Sequence, residues 1–343
     1  MELRNVHPVA TAVQVGDLGG ARPSRFAMVT AKATYAVGAD GRTALAEPVP
    51  LWRVDEPTEL GVLPRDDLPR VDPAFEVIAL ARAHAPGGKP CAQMRVALQV
   101  GDRRRELLVT GDRRWERGLL RTRASAPQPF TTMPLTWARA FGGRVQVEID
   151  REALVEVCDV RNPDGRGFDA RRDAEALCRR LRSPKGYPRL AEDRLLPNVE
   201  DPQAAISGPD DAPLPASWAT VPMTSAVHAE RMPERPGAAH AGPGLFHRAV
   251  PEWVMPSPPA AGSEVRMDGC TPSGRWAFAM PRTTVWADVH AGGQVHAIQL
   301  APQVLILLPG EGRFQLLWRA MFALPAPDGG PRAARIRLDG EAG

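Results

Sequence analysis

The chain has 343 residues, 43% of them hydrophobic and 24% charged, which is enough for a sizeable core in one large β domain or about two smaller ones and excludes a largely disordered chain. Its formal net charge is only +3, with 43 basic residues set against 40 acidic ones, so no nucleic-acid-binding balance is present. Only three of the basic residues are lysine (Lys32, Lys89 and Lys185), a skew toward arginine that reads as GC-rich coding bias.

Taken in chain order, residues 25–37 alternate in the manner of a half-buried strand, and a Gly38-Ala39-Asp40-Gly41 turn leads into a returning strand over 43–49. Further strands are predicted at 75–84, 92–100 and 105–110, punctuated by Pro86-Gly87-Gly88 and Gly101-Asp102. A short helix is predicted over 134–141, with Pro134 at its start and Gly142 at its end. Asp169 can cap a second helix over 170–182, where Ala174, Leu177, Cys178 and Leu181 share one face and Pro184 follows. From 197 to 259 prolines recur too often for continuous secondary structure, which predicts a long irregular connection. Strand character returns at 264–268, 275–280, 283–290, 294–300, 304–308 and 314–322, and 334–338 can add an edge strand.

These elements predict a mainly β protein with antiparallel sheets in a sandwich-like arrangement, short helices and a Pro-rich central connection. The chain divides into an N-terminal β region (1–130), an irregular middle with short helices (131–260) and a C-terminal β region (261–343), all within one continuous domain of about 25–322. The start of the chain lacks a charged region followed by an apolar core, and the longest apolar run, 304–308, is strand-sized; a cytoplasmic protein without membrane contact is expected. Cys91, Cys158, Cys178 and Cys270 are widely spaced, so reduced and mostly buried thiols are expected.

Motifs that carry reaction chemistry are missing. There is no Gly-x-Ser-x-Gly elbow and no Gly-x-x-x-x-Gly-Lys-Ser/Thr phosphate cradle, and Gly16-Asp17-Leu18-Gly19-Gly20 precedes Arg and Pro where a nucleotide loop would open a helix. His290 and His296 flank a Gly292-Gly293 turn, but only Asp288 stands near as a further ligand, fewer than a metal site needs. Asp66-Asp67 and Asp210-Asp211 are adjacent pairs in Pro-rich loops, where neighbouring side chains point apart, and they read as solvated loop charges. No catalytic residue, cofactor or metal is therefore assigned.

What stands out is an ordered set of turn-and-aromatic motifs. They are Lys32-Ala33-Thr34-Tyr35, Gly111-Asp112-Arg113-Arg114-Trp115, the stretch from Met133 through Trp137 and Phe141 to Gly142-Gly143, Asn162-Pro163-Asp164-Gly165-Arg166-Gly167-Phe168, Leu196-Pro197-Asn198-Val199-Glu200-Asp201-Pro202 and Leu317-Trp318-Arg319. Gly, Pro, Asn and Asp fix backbone shape and the aromatics dock loops, which suits a rigid scaffold. Two of the three asparagines, Asn162 and Asn198, fall inside these motifs and suggest specific hydrogen-bonding roles.

The set resembles a bacterial domain of unknown function associated with type VI secretion. Phe75-Glu76-Val77 and Pro215-Ala216-Ser217-Trp218-Ala219 depart from the family pattern in detail. The resemblance implies a cytoplasmic, non-enzymatic adaptor or chaperone that binds a secreted effector and assists its loading onto the secretion spike, with spike-tip proteins as further candidate partners. Arg113, Trp115, Trp137, Phe141 and Trp253 are the candidate protein-binding anchors, and the stretch 197–259 is a second candidate cargo surface. Gly111, Asp112, Gly142, Gly143, Asn162, Gly165, Asn198, Glu200, Trp318 and Arg319 are assigned to the scaffold. The rival readings are a carbohydrate- or cell-wall-acting hydrolase with carboxylates that meet only in space, and a structural component of the secretion apparatus.

Overall fold

The computed structural model describes residues 2–4, 7–18, 24–66, 74–117, 122–150, 153–168, 195–222, 225, 247–291, 294–323 and 333–339. Among the described residues the architecture is mainly β, with a ten-stranded sheet, a five-stranded sheet, several two-stranded pairs and very little helix. Among the described residues no helix is long and apolar enough to cross a membrane. The predicted helix over 170–182 lies outside the described residues.

Strand Ser24–Val37 anchors the large sheet. It pairs antiparallel with Ala10–Leu18, with Thr43–Leu45 and, along nearly its whole length, with Arg313–Ala323. Residues 26–35 are buried on both faces, so Ala27, Val29, Ala31, Ala33 and Tyr35 share one face while Thr30, Lys32 and Thr34 share the other. The first set is apolar except for the Tyr35 hydroxyl, which shares a hydrogen bond with Thr283 Oγ1 at 2.9 Å.

Residues 294–300 and 304–308, expected as separate strands, form one 15-residue strand, Gln294–Leu308. Its first half pairs with Thr284–Ala291 and its second with Arg313–Ala323. The register shifts between Pro302 and Val304, because proline has no N–H to give the ladder and is tolerated where a bulge bends the strand. Phe75–Ala79 runs parallel to Val304–Leu307 and is buried at every position, as a strand covered on both faces must be. Strand Ala333–Asp339 is not an edge: it lies between Thr284–Ala291 and Glu2–Arg4.

The five-stranded sheet runs in the order Val199–Glu200, Arg103–Thr110, Gln93–Val100, Glu264–Asp268 and Arg275–Ala279. Stacked rings join it to the large sheet. Phe278 lies 4.1 Å from Phe314, and Phe314 4.9 Å from Tyr35, with interplanar angles of 4° and 8°. The main core cluster draws Val77 and Leu98 from the N-terminal region, Leu135 and Trp218 from the middle, and Met267 and Leu305 from the C-terminal region.

The helix predicted at 134–141 is a single 3-10 turn, Trp137–Arg139. Its carbonyls go elsewhere: Trp137 and Phe141 oxygens accept from Asn162 Nδ2, Ala140 oxygen accepts from the Arg166 amide and Arg139 oxygen from the Asn198 amide. A helix would need those acceptors for its own ladder. Among the described residues of the Pro-rich stretch the chain is irregular, with Val199–Glu200, the 3-10 turn Pro251–Trp253 and Val254–Met255 as the regular pieces, and 223–224 and 226–246 lie outside the described residues.

Candidate functional site

The four central motifs meet around one buried asparagine. Strand Arg103–Thr110 leads directly into Gly111, whose missing side chain lets the chain run against Gln128: a Cβ there would fall onto the Gln128 carbonyl oxygen. Asn198, fully buried, donates from Nδ2 to the Thr110 carbonyl at 2.9 Å and to Asp112 Oδ1 at 3.0 Å. Its Oδ1 accepts from Arg139 Nη1 and from Arg166 Nη1, both at 3.0 Å. One side chain thus reaches the motifs containing Asp112, Arg139 and Arg166 from the motif that contains Asn198 itself.

Asn162 performs a parallel task one layer away. Its Nδ2 donates to Trp137 and Phe141 carbonyls at 2.8 and 2.9 Å, and its carbonyl accepts from the Gly143 and Gly165 amides. Gly142 stands at φ +140°, and a Cβ there would strike the Asn162 carbonyl oxygen, so glycine is required for both conformation and space.

Glu200 closes the junction. It ion-pairs with Arg113, and its other oxygen accepts from the Ile206 amide at 2.7 Å. Burial pushes the Glu200 carboxyl above the usual carboxylate range, against the pull of Arg113. Burial also holds the Arg166 guanidinium below its ordinary value, with the neighbouring Arg139 charge acting in the same direction.

The remaining two motifs meet at a second buried cluster. Lys32 Nζ contacts Asp66 Oδ2 at 2.5 Å with both side chains buried, the Trp52 amide donates to the same oxygen at 2.9 Å, and Arg319 Nη2 donates to the Asp66 carbonyl at 2.8 Å. Burial draws the Lys32 pKa down, opposed by Asp66. Asp66 is therefore not the solvated loop charge its neighbourhood suggested. Its partners lie 34 and 253 residues away in sequence, beyond the reach of local pattern.

The aromatic anchors are interior. Trp115 and Phe141 form a small cluster with Leu196 and Ile206, while Trp137, Trp253 and Trp318 belong to the main core, and Trp137 Nε1 donates to the Ala219 carbonyl at 3.1 Å. Arg113 is nearly enclosed by its pairing with Glu200. These side chains serve this chain's own packing, and Arg113 and Trp115 also line an open groove with Asp112, Arg114 and Leu195. Parts of the second candidate surface are interior as well: 217–221 and 247–250 are buried, whereas 201–216 is mostly exposed or half-buried, with Leu214 71% exposed.

Sequence reasoning placed Asn162 and Asn198 correctly among hydrogen-bonding candidates but gave no role to Arg139 and Arg166, although both stand inside quoted motifs. It also missed Glu76, which is fully buried and accepts the Arg248 and Ala249 amides at 2.8 and 2.9 Å, and the Arg248–Asp55 ion pair at 2.8 Å. No group of three or more His, Cys, Asp or Glu side chains arranged to hold a metal occurs among the described residues. His290 and His296 lie on paired strands, opposite Val295 and Val289, and both are exposed. Cys91, Cys158 and Cys270 are free thiols; burial pushes that of Cys270 upward, away from nucleophilic reactivity, and Cys178 lies outside the described residues. Chemically, the junction is a rigid hydrogen-bonded support with a partly open, arginine-rich rim.

A family model described as "Uncharacterized protein conserved in bacteria (DUF2169)" matches residues 23–319. No curated protein and no solved structure matches the chain.

Proposed function

Because this chain belongs to the DUF2169 family, we propose that it is a non-enzymatic cytoplasmic adaptor of type VI secretion, which binds a toxic effector and presents it to the secretion spike. The observation that carries the reading is the junction at Asn198, where residues 110, 112, 139 and 166 converge on one amide. The link to secretion comes from the resemblance of the ordered motifs, and the junction gives those motifs a mechanical meaning. Residues that define the resemblance hold loops together, leaving exposed loop positions to carry partner contacts.

Such an adaptor recognises cargo by protein–protein contact over at least about 1,000 Å². The exposed run 201–216 follows the junction directly and is held at its base by Glu200, through the Ile206 amide. That arrangement places a mostly exposed or half-buried loop on a fixed support.

The test is co-expression of a tagged chain with the products of neighbouring genes. A stable complex with an effector, and loss of that effector's delivery on deletion of this chain, are expected. No complex together with undiminished delivery overturns the reading.

A further inference from the structure

We propose that Arg139 and Arg166 form a receiving site for a carboxylate, supplied by an acidic side chain of a docked polypeptide. The identity of that polypeptide rests on the adaptor reading; the site itself stands on geometry. Both Nη1 atoms donate to Asn198 Oδ1 at 3.0 Å, so two like charges are held against one neutral acceptor. Asp112 is the carboxylate near both, and its Oδ1 lies 3.7 Å from each Nη1, well beyond the roughly 2.7–2.9 Å of a direct charge-assisted hydrogen bond. It is also held by Asn198 Nδ2 at 3.0 Å.

Among the described residues the charges around the junction do not cancel: Arg113 is matched by Glu200, which leaves Asp112 against two guanidiniums. Burial and, after it, the Arg139 charge lower the Arg166 pKa, against the pull of Asp112. Elsewhere arginines are matched differently: Arg161 is held by both oxygens of Asp159, and Arg337 by both oxygens of Asp288.

Accessibility and shape then select the ligand. Arg139 and Arg166 side chains are 28% and 23% exposed, so a partner can reach them, while Asn198 fixes their position from beneath. Guanidinium edges match the two oxygens of a carboxylate better than they match a spherical anion. A free small carboxylate at so open a rim gains little over water. One carried on a polypeptide is delivered by the rest of its interface and is held without a further loss of translational freedom.

Fluorescence anisotropy of a labelled hexaglutamate peptide with the full chain at low salt tests this. Arg139→Gln and Arg166→Gln are expected to weaken binding about fivefold each, and Asp112→Asn to tighten it about fivefold, while Arg42→Gln, which removes the same charge from an exposed turn, leaves it unchanged. Asp112→Asn keeps an oxygen for Asn198 Nδ2, so it carries the test if an arginine variant fails to fold. Equal losses in Arg42→Gln and the two rim variants would reduce the effect to net charge and overturn the proposal, as would an unchanged Asp112→Asn. Malonate binding as tightly as the peptide would assign the rim to a small anion and overturn the polypeptide source. Absence of an effector complex together with undiminished delivery, with this charge-dependent binding intact, would sink the adaptor reading alone.

Discussion

Asn162 carries no charge, yet its amide nitrogen joins two carbonyls, those of Trp137 and Phe141, in a site with no exposure to solvent. Removing the amide leaves both oxygens buried without that donor, and each such loss is expensive. Asn162→Ala is therefore expected to lower unfolding free energy by about 2–4 kcal/mol, measured by urea denaturation; a loss under about 1 kcal/mol, the size of one ordinary net hydrogen bond, would show that the loops do not depend on it. Lys32 poses the opposite problem, an interior charge paired with Asp66 and lying over the Trp52 ring. Lys32→Met strands the Asp66 carboxylate, at a cost of about 3–5 kcal/mol, whereas the double variant Lys32→Met with Asp66→Leu recovers much of it, since apolar side chains can replace a buried pair. If the double variant is as unstable as the single one, the Trp52 amide and the surrounding packing, not the charge, set the requirement for Asp66.

At the scale of elements, the outer face of the five-stranded sheet carries a ladder of ion pairs: Arg95 with Glu106, Glu106 with Arg104, Arg104 with Asp268 and Asp268 with Arg266. Burial alone would raise the Asp268 carboxyl, but hydrogen bonds from Arg266 and Arg104 outweigh it and hold the pKa below the ordinary aspartate value. A depressed carboxylate contributes stability that is complete above its unfolded value and disappears as pH falls through the folded one. Wild type should thus exceed Asp268→Asn in urea midpoint at pH 6, and the gap should shrink as the pH falls below the ordinary aspartate range; a gap independent of pH would show that packing, not charge, is responsible. Strands of this kind were legible in sequence. The alternation in 93–100 and 103–110 reports one buried and one solvated face, which any antiparallel partner satisfies. The turn at 137–139 was not legible as such, because what stops a helix there is the demand of Asn162, Arg166 and Asn198 for its carbonyls. Local propensity contains no record of acceptors claimed from 21 to 59 residues away. The same limit hid the rim, since Arg139 and Arg166 become neighbours only through Asn198.

Across the whole molecule, the N-terminal and C-terminal β regions interleave within both sheets. Gln93–Val100 pairs with Glu264–Asp268, and Phe75–Ala79 runs against Val304–Leu307. Ser24–Val37 depends on Arg313–Ala323 for its longest ladder, and the Tyr35, Phe314 and Phe278 rings stack from one sheet to the other. A chain ending at residue 260 would lose all of these partners at once. Its buried strands would then expose apolar faces and unpaired backbone edges, which fold poorly and aggregate. The 1–260 fragment is accordingly expected to show no cooperative urea transition by far-UV circular dichroism or tryptophan fluorescence, while the full chain shows both. A sharp transition in the fragment would mean that the sheets are separable and that cargo binding can be sought on the first 260 residues alone. If it fails to fold, cargo-binding variants have to be compared in the full chain, because the junction that supports 201–216 is built on a five-stranded sheet two of whose strands, Glu264–Asp268 and Arg275–Ala279, come from beyond residue 260.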